Sequence, residues 1–237
     1  MKYGESTFDL VYLVFAIAIG VCILRKRRDR AGKLTGAAVL ILGCGDAFHL
    51  VPRVLNYFFS GDFTAWLGFG KLVTSITMTV FYLLMYRLWL LMYGEKENRR
   101  LSMAVHGLTA LRILLCLMPQ NRWLQGDGPV LWAILRNLPF VMLGGIIVCL
   151  YYRKRGMIRC FRFVWLLVTL SFVFYIPVAV GAGFVPLLGM LMLPKTVCYM
   201  ILILAFRKYA FTGGLRAETE PDSDEKPEDE KKGRNAI

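Results

Sequence analysis

Three ionisable residues lie at helical spacing within one long apolar run. Asp46, His49 and Arg53 are spaced i, i+3 and i+7, which places them on one stripe of a helix with about 10 Å of rise between the first and the last. Asp46 is the only carboxylate expected well inside a membrane span, where a charged acid costs roughly 2.5 to 3.5 kcal/mol and needs a partner, a cavity or a proton. The stripe therefore predicts one shared cavity, with Asp46 and His49 as candidate catalytic residues.

Each of these residues also has a plainer interpretation. Asp46 could make a structural hydrogen bond between helices, His49 could be a hydrogen-bonded core residue, and Arg53 could snorkel to the nearer surface. A second histidine, His106, falls in a different apolar run. Neither its depth nor its surrounding motif supports a haem site with His49.

Two lysines fall inside later apolar runs, Lys71 directly after Gly70 and Lys195 directly after Pro194. Lys71 is near enough to the edge of its run to snorkel, whereas Lys195 lies roughly 12 Å from the nearer surface at 1.5 Å of rise per residue. Asp46 is expected at a similar depth. The sequence therefore predicts an ion pair or a water-bridged contact between Asp46 and Lys195.

Membrane-spanning helices must position all of these side chains. The chain is 57% hydrophobic and 19% charged, which is more apolar than a soluble domain of this size keeps out of water. Because a span needs about 20 predominantly apolar residues, the sequence predicts an all-α integral membrane protein with about seven transmembrane helices. They are expected near residues 8–24, 36–57, 66–91, 102–118, 131–152, 161–182 and 187–206.

Charge placement predicts the orientation of these spans. Under alternating topology, the basic clusters fall on one side, which the positive-inside rule makes cytoplasmic. The amino terminus is then outside and the carboxyl terminus inside, as in a multi-pass protein of the cell membrane. Eight of the sixteen acids lie in the last twenty residues, so residues 212–237 are predicted to form a disordered acidic cytoplasmic tail.

Several partners are not expected from this composition. The net charge of +13 comes from loop clusters that suit anionic lipid headgroups, so membrane lipid is the predicted partner and nucleic acid is not. The six cysteines show no metal-ligand spacing, and we predict neither a metal nor a cofactor. The sequence specifies no oligomeric state.

The first three and last three spans resemble each other. Pro52 is followed by Lys71 after 19 positions, and Pro177 by Lys195 after 18. The predicted plan is a 3+1+3 parallel repeat with halves near 8–91 and 131–208, linked by helix 102–118, and a site between the halves. Ser171, which aligns with Asp46, and Tyr175 join Arg53, Lys71 and Lys195 as predicted substrate-binding residues.

The run from Gly45 to Arg53, Gly-Asp-Ala-Phe-His-Leu-Val-Pro-Arg, resembles a motif of the YhhN family of membrane proteins, the lysoplasmalogenase group. The motif covers about nine residues, and the duplicated helical plan fits the family along most of the chain. The resemblance implies hydrolysis of the vinyl-ether bond of a lysophospholipid, with intramembrane aspartates as acid and base. Asp46 is the one residue of this sequence to which the motif assigns such a catalytic role.

Family members place a histidine in the following span and a second Asp or Asn in the repeat of the motif span. The matching stretches here, residues 70–76 and 170–172, contain neither acid nor histidine. Acid and base chemistry needs two titrating groups. Either this chain uses Lys195, His49 or Lys71 as the second titrating group, or it has the fold of the family without catalysing its reaction.

Three other functions fit parts of the sequence. The duplicated plan resembles small-solute transporters of the PQ-loop type, with Pro52 and Pro177 as paired hinges, although their Pro-Gln pair is missing from the repeats. A lysine in the seventh span resembles the retinal-binding lysine of microbial rhodopsins, but Leu191 stands where that family usually has Asp. The third alternative is a receptor or scaffold that catalyses no reaction.

Overall fold

The computed structural model describes residues 2–126, 128–181 and 185–212, and these residues form helices and connections with no β-strand. Among the described residues, seven helices are long and apolar enough to cross a membrane, which confirms the predicted all-α architecture and number of spans. Residues 213–237, which hold nearly all of the predicted tail, lie outside the described residues. The helices are α1 (Lys2–Lys26), α2 (Arg30–Phe58), α3 (Thr64–Tyr93), α4 (Arg99–Leu117), α5 (Val130–Arg153), α6 (Val164–Gly181) and α7 (Met192–Thr212).

Each helix packs against the next one in the chain, and α7 also packs against α1 and α2. Successive helices run antiparallel, so α1, α3, α5 and α7 begin at the same end. We call it the amino-terminal end and the opposite one the carboxyl-terminal end. Helix α3 is the centre of the bundle, because it contacts α2, α4 and α5 and buries the large side chains of Phe81, Tyr82, Met85 and Tyr86 completely.

The α1 helix extends further than the apolar run that predicts it. It begins at Lys2, whereas the sequence predicts a span from residue 8. The additional turn contains Glu5, whose Oε2 accepts hydrogen bonds from Arg53 at 3.3 Å and from the Tyr57 hydroxyl at 3.0 Å. These contacts to α2 stabilise an acid within the helical segment.

Glycines allow α2 and α3 to approach closely. A Cβ at Gly70 would lie 2.1 Å from the carbonyl oxygen of Phe48, and a Cβ at Gly45 would lie 2.0 Å from Oγ1 of Thr77. The first of these contacts is with backbone, which cannot rotate out of the way. The α2–α3 spacing, which sets the position of His49 beside α3, therefore depends on a missing side chain at Gly70.

An ion pair organises the carboxyl-terminal end where α1 turns into α2. Asp29 is the N-cap of α2 and accepts from the backbone N–H of Gly32 at 3.2 Å. Arg27 donates to the same carboxylate at 2.6 Å and to the carbonyl of Ala210 in α7 at 2.6 Å. The residues between α1 and α2 therefore cap the start of α2 and also connect it to α7.

Candidate functional site

A cavity of about 630 Å³ lies at the amino-terminal end of the bundle. Every helix contributes a polar or ionisable side chain to its lining. In chain order these are Asp9, Asp46, Lys71, Arg112, Arg136, Tyr175 and Lys195.

Most of the residues predicted from the sequence meet in this cavity. Asp46, His49 and Arg53 all line it, as their spacing on one helical stripe predicts, and so do the predicted binding residues Lys71, Tyr175 and Lys195. Ser171 is not part of the lining. Its side chain is buried, and its hydroxyl donates to the carbonyl of Val168 at 2.8 Å.

Asp46 is held by a residue of α1. The hydroxyl of Tyr12, which is 1% exposed, donates to Oδ2 of Asp46 at 2.7 Å. No nitrogen–oxygen contact within 4.0 Å joins Asp46 to Lys195 in the described structure. The two side chains face the same cavity, and the Lys195 charge acts electrostatically on Asp46. The direct ion pair is therefore not formed, and the water-bridged contact stays a prediction.

Lys195 lies against aromatic rings. Its Nζ is 4.7 Å from the ring centroid of Tyr175 and 5.7 Å from that of Tyr199. These distances suit cation–π attraction. Its one hydrogen-bond contact in the described structure is with the sulfur of Met192, at 4.0 Å.

Arg53 has partners of its own at the edge of the cavity. Its Nη2 lies 3.3 Å from Oε2 of Glu5, and its Nε donates to the hydroxyl of Tyr57 at 3.2 Å. The guanidinium is therefore already paired with a carboxylate. A phosphate that bound Arg53 through Nη2 or Nε would compete with Glu5 or Tyr57.

A second carboxylate lines the cavity. Asp9, which the sequence analysis did not single out, lies in α1, is 3% exposed and faces the same space. Its Oδ2 is buried without a hydrogen-bond partner. A span predicted to start at residue 8 places Asp9 at the membrane edge, which is why the sequence gives no reason to single it out.

Two arginines that the sequence analysis did not single out also line the cavity. Arg112 of α4 is 2% exposed, and its Cζ lies 3.4 Å from the ring centroid of Phe140. Its Nε and Nη1 have no hydrogen-bond partner. A cation interrupting an apolar run in the fourth span is a sequence signal that could have identified it.

Arg136 of α5 is the second of these arginines. Its Nη1 donates to Oδ1 of Asn121 at 2.7 Å, and its Cζ lies 4.3 Å from the ring centroid of Trp123. Asn121 in turn donates to the carbonyls of Leu115 and Met118 at the end of α4. This network holds the α4–α5 connection beside the cavity.

The histidines do not share a site. His49 lines the cavity and has a buried Nδ1 without a partner, whereas His106 contacts Arg87 and Ser102 toward the carboxyl-terminal end. Within the described residues, no group of three His, Cys, Asp or Glu side chains could hold a metal ion.

The described site can bind an ionic group and exchange protons with it. Its acids, Asp9 and Asp46, come from α1 and α2, and three of its cations, Arg112, Arg136 and Lys195, come from α4, α5 and α7. The fold and the site together indicate a multi-pass α-helical membrane protein with a charged cavity among its helices. No family model matches the chain, and no curated protein or solved structure is significantly similar to it.

Proposed function

We propose that this protein binds a single-chain lipid with a phosphate-bearing head group in the cavity at its amino-terminal end. The observation that carries the proposal is Arg112, a guanidinium that is 2% exposed and has two nitrogens, Nε and Nη1, without a hydrogen-bond partner. Burying a charge without a partner is costly. An arginine fork matches phosphate geometry, so a phosphate would provide the missing acceptors.

The rest of the cavity supports an amphiphile rather than a small inorganic anion. Its wall is largely apolar and includes Leu50, Leu67, Met78, Phe140 and Leu193. Ligand cavities commonly measure about 300 to 1,000 Å³, and about 630 Å³ lies within that range. There is space for a head group and part of one chain.

The proposal includes a topology in the cell membrane with the amino terminus outside, so that the cavity lies in the outer half of the bilayer. Basic residues cluster at the carboxyl-terminal end of the bundle, where α1, α3, α5 and α7 end, and they support this orientation. The proposed repeat is supported by Pro52 in α2 and Pro177 in α6, and by Lys71 in α3 and Lys195 in α7. These pairs occupy corresponding helices of the two halves, near the same end of the bundle.

Lipid binding can be tested by measuring thermal stabilisation of the detergent-purified protein. A lysophospholipid should raise the unfolding midpoint, whereas a monoacylglycerol of the same chain length, which has no phosphate, should not. Arg112→Gln should remove the stabilisation, and Arg100→Gln, at an exposed position at the start of α4, should retain it. Equal stabilisation by the monoacylglycerol would show that the phosphate is not recognised.

Vinyl-ether hydrolysis is the chemistry that the two carboxyl groups favour. A neutral carboxyl of Asp46 would protonate the enol-ether carbon distal to the oxygen, and Asp9 would accept a proton from the water that attacks the resulting oxocarbenium ion. The hemiacetal then collapses to a fatty aldehyde and a glycerophospholipid head: its hydroxyl proton would pass to the Asp46 carboxylate, and Asp9 would give its proton to the leaving glycerol oxygen, which restores both side chains. Asp9 supplies the second titrating group that the resemblance alone does not provide.

Aldehyde release from a lysoplasmalogen would test this chemistry. General acid and base groups contribute about 10²- to 10⁴-fold each, so Asp46→Asn and Asp9→Asn should each lower the rate by at least about 100-fold. Glu97→Gln, at an exposed site near the carboxyl-terminal end, is the matched control. Unchanged aldehyde release in either cavity variant would exclude its proposed role.

Transport of a small solute is the alternative that the repeat favours, because the corresponding lysines of the two halves converge on one cavity. Substrate-dependent flux in proteoliposomes without aldehyde release would support it. Flux that persists in Pro52→Ala and Pro177→Ala variants would argue against paired proline hinges.

A further inference from the structure

Lys195 is a cavity residue that the proposed hydrolysis does not use. Its Nζ lies against the rings of Tyr175 and Tyr199, at 4.7 and 5.7 Å from their centroids. In the described part of the chain its one hydrogen-bond contact is with the sulfur of Met192, and no carboxylate oxygen lies within 4.0 Å of it. The amine therefore belongs to the cavity without a direct carboxylate partner among the described residues.

The surroundings of this amine are those of a nucleophilic lysine. Arg112 and Arg136 line the same cavity, together with apolar side chains such as Leu193. The charge of Arg112 repels a Lys195 ammonium, whereas the charge of Asp46 attracts it. A lysine that is removed from water and lies near another cation is activated as a nucleophile, and it forms Schiff bases with carbonyl compounds.

The proposed hydrolysis releases a carbonyl compound into this same cavity. Asp46 of α2 protonates the enol ether, and α2 packs against α7, which carries Lys195. The aldehyde is therefore formed on the side of the cavity that Lys195 lines. It has lost its phosphate, so Arg112 no longer binds it and only the apolar wall retains the chain.

We infer that Lys195 captures this product, a long-chain fatty aldehyde, as a Schiff base. The inference rests on the proposed function and adds a covalent state to the same site. The lone pair of the amine attacks the carbonyl carbon to form a C–N bond, and a proton moves from nitrogen to oxygen. The carbinolamine then takes a proton from the Asp46 carboxyl and loses water, which leaves a protonated imine and an Asp46 carboxylate.

The Schiff base regulates the site because it leaves Asp46 ionised. An Asp46 carboxylate cannot protonate a second enol ether, and the bound chain fills the apolar part of the cavity. Addition of water to the imine reverses the steps, frees the aldehyde and returns the proton to Asp46. Hydrolysis of the next lipid therefore waits until the previous aldehyde has left.

Reductive trapping tests the Schiff base independently of the hydrolysis. Detergent-purified protein is incubated with hexadecanal and sodium cyanoborohydride, which reduces an imine to a stable secondary amine, and peptide mass spectrometry locates the labelled lysines. An exposed lysine keeps its proton at neutral pH, whereas a lysine beside a bound aldehyde reacts as an intramolecular partner. Lys195 should be labelled at least about tenfold faster than Lys208, an exposed lysine of the same helix. Equal rates would overturn the inference.

Variants connect the label to the proposed regulation. Lys195→Arg keeps the positive charge but cannot form an imine, whereas Lys208→Arg is the matched control outside the cavity. Hexadecanal should inhibit aldehyde release from lysoplasmalogen, and cyanoborohydride should make this inhibition irreversible in wild type and in Lys208→Arg but not in Lys195→Arg. Inhibition that stays reversible in reductant-treated wild type would overturn the inference, and this comparison does not depend on the folding of a variant.

The inference and the proposed function fail separately. Trapping with lysoplasmalogen in place of hexadecanal should label Lys195 with the chain of the lipid. Aldehyde release without this label would overturn the inference alone. A Lys195 label from hexadecanal, with neither label nor aldehyde from lysoplasmalogen, would support the Schiff base and contradict the hydrolysis.

Retinal is a second source of the same aldehyde chemistry. Retinal added to the purified protein should give no visible absorption band that depends on Lys195. A band that is lost in Lys195→Arg, together with no label from hexadecanal, would assign the lysine to a retinoid and overturn the fatty-aldehyde assignment.

Discussion

At the scale of single residues, the guanidinium of Arg112 should lower stability in the ligand-free protein. Replacing buried charges by apolar residues of similar volume is often neutral or stabilising by about 1 to 4 kcal/mol. Arg112→Met should therefore raise the thermal unfolding midpoint of the ligand-free protein while removing stabilisation by lysophospholipid. Arg100→Met, at an exposed site in the same helix, should change stability by no more than about 0.5 kcal/mol. A lower midpoint for Arg112→Met would indicate that the guanidinium has a partner within the protein.

The Tyr12 hydroxyl should stabilise the pairing of α1 with α2. Tyr12→Phe keeps the ring but removes the hydrogen bond to Asp46, and a hydrogen bond within a protein contributes about 0.5 to 1.5 kcal/mol. We expect a lower thermal midpoint and weaker ligand binding, since Asp46 then loses the hydrogen bond that orients it toward α1. Tyr3→Phe is the matched control, because Tyr3 is on the same helix and 78% exposed. Equal midpoints for the two variants would contradict a stabilising role for the Tyr12 bond.

The site residues that the sequence predicts are those whose spacing or depth is visible in one helix. Asp46, His49 and Arg53 share a stripe of α2, and Lys195 is deep within its own run. Asp9 could not be recognised, because its helix extends beyond the apolar run and its burial depends on neighbouring helices. The Tyr12–Asp46 bond likewise joins two helices, and a periodic pattern within one helix contains no information about such contacts.

At the scale of helices, the close approach of α2 and α3 should depend on Gly70. In Gly70→Ala the new methyl group would lie 2.1 Å from the Phe48 carbonyl oxygen, so the helices must separate near His49. We expect a lower thermal midpoint and weaker lysophospholipid binding. Gly107→Ala is the matched control, since a Cβ there meets nothing within 4 Å and Ala favours helix over Gly by about 1 kcal/mol. A midpoint for Gly70→Ala as high as that of Gly107→Ala would contradict the close packing.

The start of α2 should respond to acid. The Arg27 hydrogen bond lowers the pKa of Asp29 to about 2, below its ordinary value of 3.8. Because the pKa is lowered in the folded protein, the charged carboxylate stabilises the folded state at any pH above the ordinary pKa of 3.8. This stabilisation is lost as the pH falls toward 2. Asp29→Ala should lower the midpoint at pH 7, since losing an N-cap costs about 0.5 to 2 kcal/mol.

The difference between wild type and Asp29→Ala should therefore shrink between pH 4 and pH 2 in thermal unfolding experiments. Asp29→Asn retains a capping oxygen without the charge and should lie between the two proteins at pH 7. A wild-type advantage that stays constant down to pH 2 would show that the charge of Asp29 contributes nothing.

Helix existence was predictable because each span contains a long apolar run, but helix ends were not. Asp29 and Asn98 cap α2 and α4 through side-chain acceptors, and these polar first turns are invisible to hydropathy. The predicted spans for α2 and α4 consequently begin inside these helices. The extension of α1 to Lys2 has a similar cause, because Glu5 is compensated by residues of α2.

At the scale of the whole molecule, the cavity exists because helices distant in sequence become neighbours. Hydropathy predicts seven spans but does not predict that α7 packs against α1 or that α3 packs against α5. Lys195 and Arg136, which belong to α7 and α5, therefore line the same cavity as Asp46 and Lys71. The convergence of one polar side chain from every helix therefore could not be predicted from the spans alone.

The orientation of the whole bundle is tested by a protease site placed in either of two connections. The site between Gly61 and Asp62 would lie at the amino-terminal end, and the control site between Lys96 and Glu97 at the carboxyl-terminal end; all four residues are exposed. Because Lys and Arg in short loops oppose translocation, we expect protease added to intact cells to cut the first site and leave the second intact. In inside-out vesicles the pattern should reverse. Cleavage of the second site in intact cells would place the cavity in the inner half of the bilayer, and a lipid ligand would then have to enter from the cytoplasmic leaflet.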